Sequence, residues 1–396
     1  NAHAATARAP GAAFWLVLLL AWAGLHGLIV PRIGELRPVL ETQATRALGI
    51  PVRIGAVSAR SDGLVPSFEL RDVVLLDAQA REALRLTRVV VALSPRSLWN
   101  LGFEQLYIER PELDIRRSAD GRLWIAGLDV SRGGGDEGAA DWFFRQKEVV
   151  VQDGTLRWSD ELRAAPPLAL TGVRFIARNG PLRHAMRLDA TPPAEWGSSF
   201  SLLGVFRQPV LSRHPGRWQD WHGQLFADFE AVDLSHLRQH VTLGVVDVRS
   251  GKGALRAWAD VDQGRFTGGA ADVALTRVDA LLAPGRAPLA LASVSGRVSG
   301  KRLEAGFEAA TEGLQFETAD GRRWPGGNAA LSWQAAAGRQ PERGNLRADR
   351  LDLDALRGLA AHLPLNEATE RLLAAHVPSG LVDQLQATWE GPFDQL

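Results

Sequence analysis

A mainly β fold behind one transmembrane helix is what this chain of 396 residues predicts. Three observations carry the prediction. An uncharged apolar run stands near the N-terminus, apolar and polar residues alternate with period two through most of the rest, and Asp-Gly or Asn-Gly corners recur between the alternating runs.

After a tail at 1–11, residues 12–30 read AAFWLVLLLAWAGLHGLIV. Nineteen residues at about 1.5 Å rise span roughly 28 Å, close to the ~30 Å hydrocarbon core of a bilayer. The segment is expected to be an uncleaved anchor, because GLHGLIVPRI offers no small-x-small cleavage site. Arg8 precedes the run while Arg32, Arg37 and Arg46 follow it, so the positive-inside count leaves its orientation open.

Residues 31–130 are read as a membrane-proximal β-rich unit. It opens with one short helix in GELRPVLETQATRALG, closed by Gly49 and Pro51. The strand runs PVRIGAVSAR, FELRDVVLLDAQ, LRLTRVVVALS and EQLYIERPELDIRR follow. In ERPELDIRRSADGRLWIAGLDVS, Leu113 and Ile115 alternate with Glu112, Asp114 and Arg116, the chain turns at Asp120-Gly121, and Leu123 and Ile125 resume the beat. Further corners are expected at Asp62-Gly63, Asp153-Gly154, Asn179-Gly180 and Asp320-Gly321. The glycine-rich run SRGGGDEGAAD, residues 131–141, reads as a flexible linker to an extended β-sheet body at 142–396.

Within that body Leu156 and Trp158 flank Arg157, and Leu225, Ala227 and Phe229 alternate with Asp228 and Glu230. Leu385, Ala387 and Trp389 alternate with Gln384, Gln386, Thr388 and Glu390. Strands of this kind have one face in an apolar setting and the other in water. Two segments look like copies of one strand-then-helix unit: Val232-Asp233-Leu234 with Leu237-Arg238, and Leu351-Asp352-Leu353 with Leu356-Arg357. NEATERLLAAHVPSG is a further helix candidate, with Asn366 as its N-cap. Helices this few exclude a doubly wound α/β fold and leave sandwich, barrel, solenoid or open sheet.

Composition narrows function by exclusion. Lys and Arg number 45 and Asp and Glu number 45, so no net field draws the chain to nucleic acid, and no nucleic-acid partner is expected. No cysteine is present, which removes disulfides, thiolate zinc sites and thiol catalysis. His236 and His240 have the i, i+4 spacing of paired metal ligands but lack the glutamate of H-E-x-x-H, and Asp260, Asp262 and Gly264 lack the distal glutamate of an EF-hand. No nucleophile elbow or Walker loop occurs. The expectation is no enzyme, no metal and no cofactor. Thirteen tryptophans against one tyrosine are unusual; Trp15 and Trp22 suit a lipid interface and the others suit packing on sheets.

The ordered positions Gly49, Pro51, Val52, Gly55, Gly63, Pro66, Asp72, Pro111, Gly121, Gly127, Pro378 and Gly380, behind an apolar anchor, resemble the N-terminal part of the YhdP branch of the AsmA-like envelope proteins. The resemblance implies an N-terminal transmembrane helix followed by a long curved antiparallel β-sheet forming a hydrophobic trough, with a few short helices. It also implies a single-pass bacterial inner-membrane protein with a cytoplasmic N-terminus and a periplasmic body. Such a protein would conduct phospholipid along the trough toward the outer membrane, with outer-membrane components as possible partners. The lipid-facing candidates are then Leu113, Ile115, Leu123, Ile125, Leu156, Trp158, Leu225, Ala227, Phe229, Leu385, Ala387 and Trp389. A structural or assembly factor for outer-membrane proteins, and a membrane-tethered envelope hydrolase, are the rival readings. Family members are several times longer, and the chain begins at Asn1 and stops at Leu396 without a terminating element, so it is expected to be a piece of a longer protein.

Overall fold

The computed structural model describes residues 37–391 apart from 61–66, 77–79, 93–102, 126–127, 130–136, 213, 241–246, 325, 339–340, 364–370, 372–374 and 376–378. The expected anchor at 12–30 and most of the helix expected from Asn366 lie outside the described residues, as does the corner at Asp62-Gly63. Among the described residues no helix is long and apolar enough to cross a membrane. The chain forms two compact units, one of Asn1–Leu162, Pro167–Leu188 and Gln208–Trp218, the other of Arg163–Pro166, Asp189–Arg207 and Gln219–Leu396.

In the first unit, helix α1 (Arg37–Leu48) is followed by strands β1 (Val52–Arg60), β2 (Ser67–Leu76), β3 (Glu82–Ala92) and β4 (Gln105–Glu109), paired antiparallel in that order. β5 (Glu112–Arg117), β6 (Leu123–Ile125) and β7 (Leu128–Asp129) continue as antiparallel neighbours. The corner between β5 and β6 is the one the sequence predicts. Asp120 accepts from Ser118 Oγ at 2.6 Å and from the Arg122 amide at 3.3 Å, which with the Arg122 guanidinium lowers its carboxyl to about 2. Helix α2 (Glu137–Arg145) leads into β8 (Glu148–Asp160), and β9 (Ala165–Asn179) and β10 (Arg183–Thr191) pair with each other.

Two expectations change here. The run read as a linker at 131–141 ends inside α2, because Ala140, Asp141, Trp142 and Phe143 form a helix whose aromatic side buries against the sheet. The sheet is also not wholly antiparallel: β4 and β5 both run parallel to β8, with Leu106 opposite Val149 and Leu113 opposite Leu156. Parallel neighbours need a long crossover, and α2 lies on that connection.

The core of this unit is one sheet face closed by the two helices. Ile54, Phe68, Val73, Val89, Val91, Leu106 and Val149 are buried, with Leu40, Ala44 and Leu48 of α1 and Trp142 and Phe143 of α2 packed against them.

The second unit is an antiparallel meander. β11 (Phe200–Arg207), β12 (His222–Asp233), β13 (Asp247–Asp262), β14 (Arg265–Leu281), β15 (Leu289–Leu303) and β16 (Gly306–Thr318) pair successively. The two-residue β17 (Arg323–Trp324) pairs with β16 after the Asp320-Gly321 corner, and β18 (Ala329–Gln334), β19 (Arg343–Asp352) and β20 (Leu381–Glu390) complete the series. β12 and β19 each run into a short helix, α3 (Leu234–Leu237) and α4 (Leu353–Leu359). Asp233 caps the first by accepting from the Ser235 amide and Asp352 caps the second by accepting from the Ala355 amide, so the repeat seen in the sequence is a strand ending in an Asp cap. Gln263 and Gly264 turn β13 into β14 with positive φ, which makes Asp260–Gly264 a hairpin corner.

Each unit has left-handed residues inside its strands, and these are the main feature the alternation did not reveal. Asp72 in β2 (φ 49°), Arg110 between β4 and β5 (φ 48°), Asp153 in β8 (φ 56°) and Gly172 in β9 (φ 57°) are left-handed residues inside otherwise extended runs. At Arg110 and Asp153 this moves the apolar beat from Leu106 and Ile108 to Leu113 and Ile115, and from Val149 and Val151 to Leu156 and Trp158. Arg110 and Asp153 shift together, so register is kept across the pair. Asp153-Gly154 is therefore a bulge within β8 and not a hairpin corner. In the second unit Arg277 in β14 (φ 51°), Gly313 in β16 (φ 57°) and Gln384 in β20 (φ 56°) are also left-handed, and register slips between Phe229 and Val232, Ser250 and Lys252, and Leu291 and Ser293.

Candidate functional site

Cross-strand partners share a face, so register assigns every strand residue of the second unit to one side. Leu225 stands opposite Ala259 and Gly204, Ala227 opposite Ala257 and Leu202, and Phe229 opposite Leu255 and Phe200. The series continues through Ala271 and Val273 of β14, Val298 of β15, Ala309 of β16, Leu331 and Trp333 of β18 and Leu346 of β19. It ends on Leu385, Ala387 and Trp389, opposite Ala348, Leu346 and Gly344. One apolar face thus crosses nine strands from β11 to β20, roughly 40 Å at ~4.8 Å per strand. Phe200 stacks on Phe229 at 5.1 Å and Phe307 lies 5.8 Å from Trp333.

The opposite face carries charge in register. Asp228 faces Arg256, Arg256 faces Asp272, Asp272 faces Arg297, and Arg297 faces Glu312. Asp272 and Arg297 form a two-point ion pair at 2.6 and 2.9 Å, and the arginine holds the Asp272 carboxyl below the usual carboxylate range. Arg256 reaches Asp228 at 3.2 Å, and Arg297 lies over the Trp258 ring at 5.2 Å. Such cross-strand pairs fix which way each strand turns, since a slip of one residue would bring these charges to the apolar side. An open concavity of about 940 Å³ lies on this charged face, floored by small side chains such as Ala270, Ser299, Ala310 and Ser332 and flanked by Lys301 and Arg347. No alternation of apolar residues signals it.

Beyond these register slips the apolar side is closed. Val232, Leu234, Leu275, Val278, Ala280, Leu289 and Leu291 are buried, with Leu237 and Leu359 packed against them. The slips separate this closed core from the half-exposed face that holds the sequence-predicted residues.

In the first unit, Leu113, Ile115 and Arg117 of β5 pair with Leu156, Trp158 and Asp160 of β8, and Ile115 and Arg117 with Ile125 and Leu123 of β6. All six candidates of this unit, Leu113, Ile115, Leu123, Ile125, Leu156 and Trp158, thus share one side of three strands. The side ends in a charge pair: Arg117 Nε donates to Asp160 Oδ1 at 2.9 Å, the Asp160 side chain is fully buried, and the guanidinium lies over the Trp158 ring at 6.0 Å. Arg116, on the other side, lies over Trp124.

Register therefore groups the twelve candidates into six on one face of the first unit and six on one face of the second. Sequence reading missed Leu202, Leu255, Ala257, Ala271, Val298, Leu331, Trp333 and Leu346, which complete the second face. Their signal was present but weak, because alanine and glycine occupy many apolar positions and blur the beat.

Nothing in the histidine pair resembles a metal site. His236 stacks on Trp196 at 5.5 Å and His240 packs on the same ring at 5.0 Å. Among the described residues no group of three or more His, Cys, Asp or Glu could hold a metal ion.

A family model described as YhdP protein matches residues 7–395. The chain belongs to the YhdP family. Several of its sparse family-like positions lie where the backbone leaves regular geometry: Gly49, Gly121 and Gly380 have positive φ, Asp72 is left-handed within β2, and Pro111 follows the left-handed Arg110. Gly55 faces Asp72 so closely that a Cβ there would stand 2.9 Å from the Asp72 Cβ. Comparison with curated proteins and with solved structures finds no match.

Proposed function

We propose that this YhdP-family chain is an inner-membrane-anchored, periplasmic AsmA-like protein that conducts phospholipid along the apolar sheet face toward the outer membrane. The observation that carries the reading is the one-sidedness of the second unit: nine strands share an apolar face, with a registered charge ladder behind it. Exposing a sixteen-carbon acyl chain to water costs roughly 12 kcal/mol at ~0.8 kcal/mol per methylene, so unaided transfer through an aqueous space is slow. A continuous surface of Leu, Ala, Phe and Trp lets the acyl chain pass from strand to strand with little net change while its headgroup stays hydrated. Conduction needs no reactive group, only continuity. The bilayer-length segment at 12–30 would tether the sheet to its lipid source.

Photocrosslinking amino acids at Leu225, Phe229, Leu385 and Ala387, and at Gln224, Asp228, Gln386 and Glu390 on the other side, test the reading. Lipid adducts are expected on the first set only. Equal labelling of both sets, or adducts only to polypeptide, would reject lipid conduction, the second result in favour of an assembly role. Leu385→Asp and Phe229→Asp should each lower bound phospholipid in native mass spectra several-fold, with Glu390→Gln and Glu230→Gln near wild type.

A further inference from the structure

The segment Gln208–Trp218 belongs to the first unit and displays its apolar residues in an unusual way. The Ser212 amide donates to the Pro209 carbonyl at 3.1 Å, closing a tight turn whose two central residues are Val210 and Leu211. Turn centres favour Pro, Gly, Asn, Asp and Ser over large apolar side chains. Here Val210 is 78% and Leu211 92% exposed, and Leu182 in the neighbouring turn is 41% exposed.

This turn is held at both ends. On one side Gln208 is buried, donates through Nε2 to the Pro181 carbonyl at 2.7 Å, and meets the fully buried His184 at 3.4 Å. On the other, the buried Asp141 of α2 accepts from the Gly216 amide at 2.8 Å and contacts His214 Nδ1 at 2.9 Å. Gly216 lies flush against α2, since a Cβ there would come within 2.5 Å of the Ala140 backbone. Polar groups buried in this way hold the loop in place, so the exposure of Val210 and Leu211 is built in.

The surroundings say what kind of surface would cover the turn. Among the described residues, 181–183 and 208–218 contain Arg183 and Arg217 and no acidic residue. Helix α2, which holds the turn, packs against α1. α1 begins at Arg37, and the uncharged run ends at Val30. An apolar tip with flanking arginines, tied through α2 to the helix that follows the expected anchor, fits an anionic bilayer surface.

We infer that the 208–218 turn is a second membrane contact, inserting Val210 and Leu211 into the interface of the bilayer that holds the anchor. The inference rests on the membrane-anchored reading above. It fixes how the first unit stands on the membrane, independently of whether lipid then moves along the sheet.

The chain has no cysteine, so a single introduced thiol labels one site. An environment-sensitive fluorophore is placed at Leu211→Cys, at Val210→Cys, and at Ala119→Cys in the exposed β5–β6 corner. Each full-length chain is reconstituted in vesicles of phosphatidylcholine and phosphatidylglycerol. Labels at 210 and 211 should be several-fold less quenched by aqueous iodide than the label at 119, and quenched by a nitroxide carried on the lipid headgroup or upper acyl chain. Equal accessibility of the three labels, all shielded or all open, overturns the inference. So does failure of the full chain to float with the vesicles, which reads the anchor separately. If 210 and 211 insert but the photocrosslinked sheet face captures no lipid, the membrane contact stands and conduction falls.

Discussion

Gly344→Ala tests the packing of the apolar face at its β20 end. A Cβ on Gly344 would lie 1.8 Å from Trp389 Cζ2 and 2.0 Å from Cε2, so the indole rests flat on the glycine backbone across the β19–β20 pair. Ordinary carbon contacts are about 3.5–4.0 Å, so the ring would have to withdraw by roughly 2 Å. Forced repacking of this size costs about 1–3 kcal/mol. In a Trp389→Ala background the obstruction is gone and only the backbone effect remains, where alanine is more stable than glycine in a strand by about 0.5–1 kcal/mol. Where repacking outweighs the backbone gain, the same substitution should change sign between the two backgrounds, and the coupling equals the repacking cost alone, about 1–3 kcal/mol. Hydrogen exchange of the 381–390 amides is the assay, because it reads local opening of β20 and is insensitive to the other twelve tryptophans. Exchange should speed roughly tenfold or more for Gly344→Ala alone and slow for Gly344→Ala on Trp389→Ala. Equal acceleration in both backgrounds would mean that the glycine serves the strand and not the ring.

Acid stability of the first unit should depend on Glu69. Its side chain is 2% exposed and receives Arg71 Nε at 2.8 Å and Arg88 at 3.3 Å; the Arg71 contact lowers its pKa most. A carboxyl with a depressed folded pKa stabilises the fold above its unfolded pKa, and that contribution disappears as pH falls through the folded value. Thermal melts of Glu69→Gln should accordingly lose part of the fall in midpoint seen in wild type below about pH 4.5, the ordinary glutamate range, and an unchanged acid limb would disprove the assignment. Asp233→Ala and Asp352→Ala should each cost about 1 kcal/mol through loss of a helix cap, measured by denaturant unfolding, and Asn at either position should recover most of it.

Much of the fold was legible because strand alternation and turn chemistry are local. The β5–β6 hairpin, the Asn179-Gly180 and Asp320-Gly321 corners, the first helix, and the two Asp-capped strand ends could all be read from neighbouring residues. Asp153-Gly154 misled for a physical reason. A left-handed residue serves a corner or a bulge equally well, and only the partner strand, with Arg110 left-handed at the same level, decides which. α2 was hidden because glycines precede it and its helical beat, Trp142 and Phe143 against the core, is only nine residues long.

By itself the sequence determined the period-two β body, the bilayer-length apolar run, the lack of a catalytic motif and the family resemblance, since composition, spacing and residue order are properties of the chain alone. Which apolar residues share a face was a tertiary decision. A strand residue's side depends on every bulge between it and its partner, so Leu113 and Leu156, or Phe229 and Trp389, could be assigned to their faces only after register was known. The pinned display of Val210 and Leu211 was decided in the same way, because Asp141 and His214 meet across 73 residues of chain.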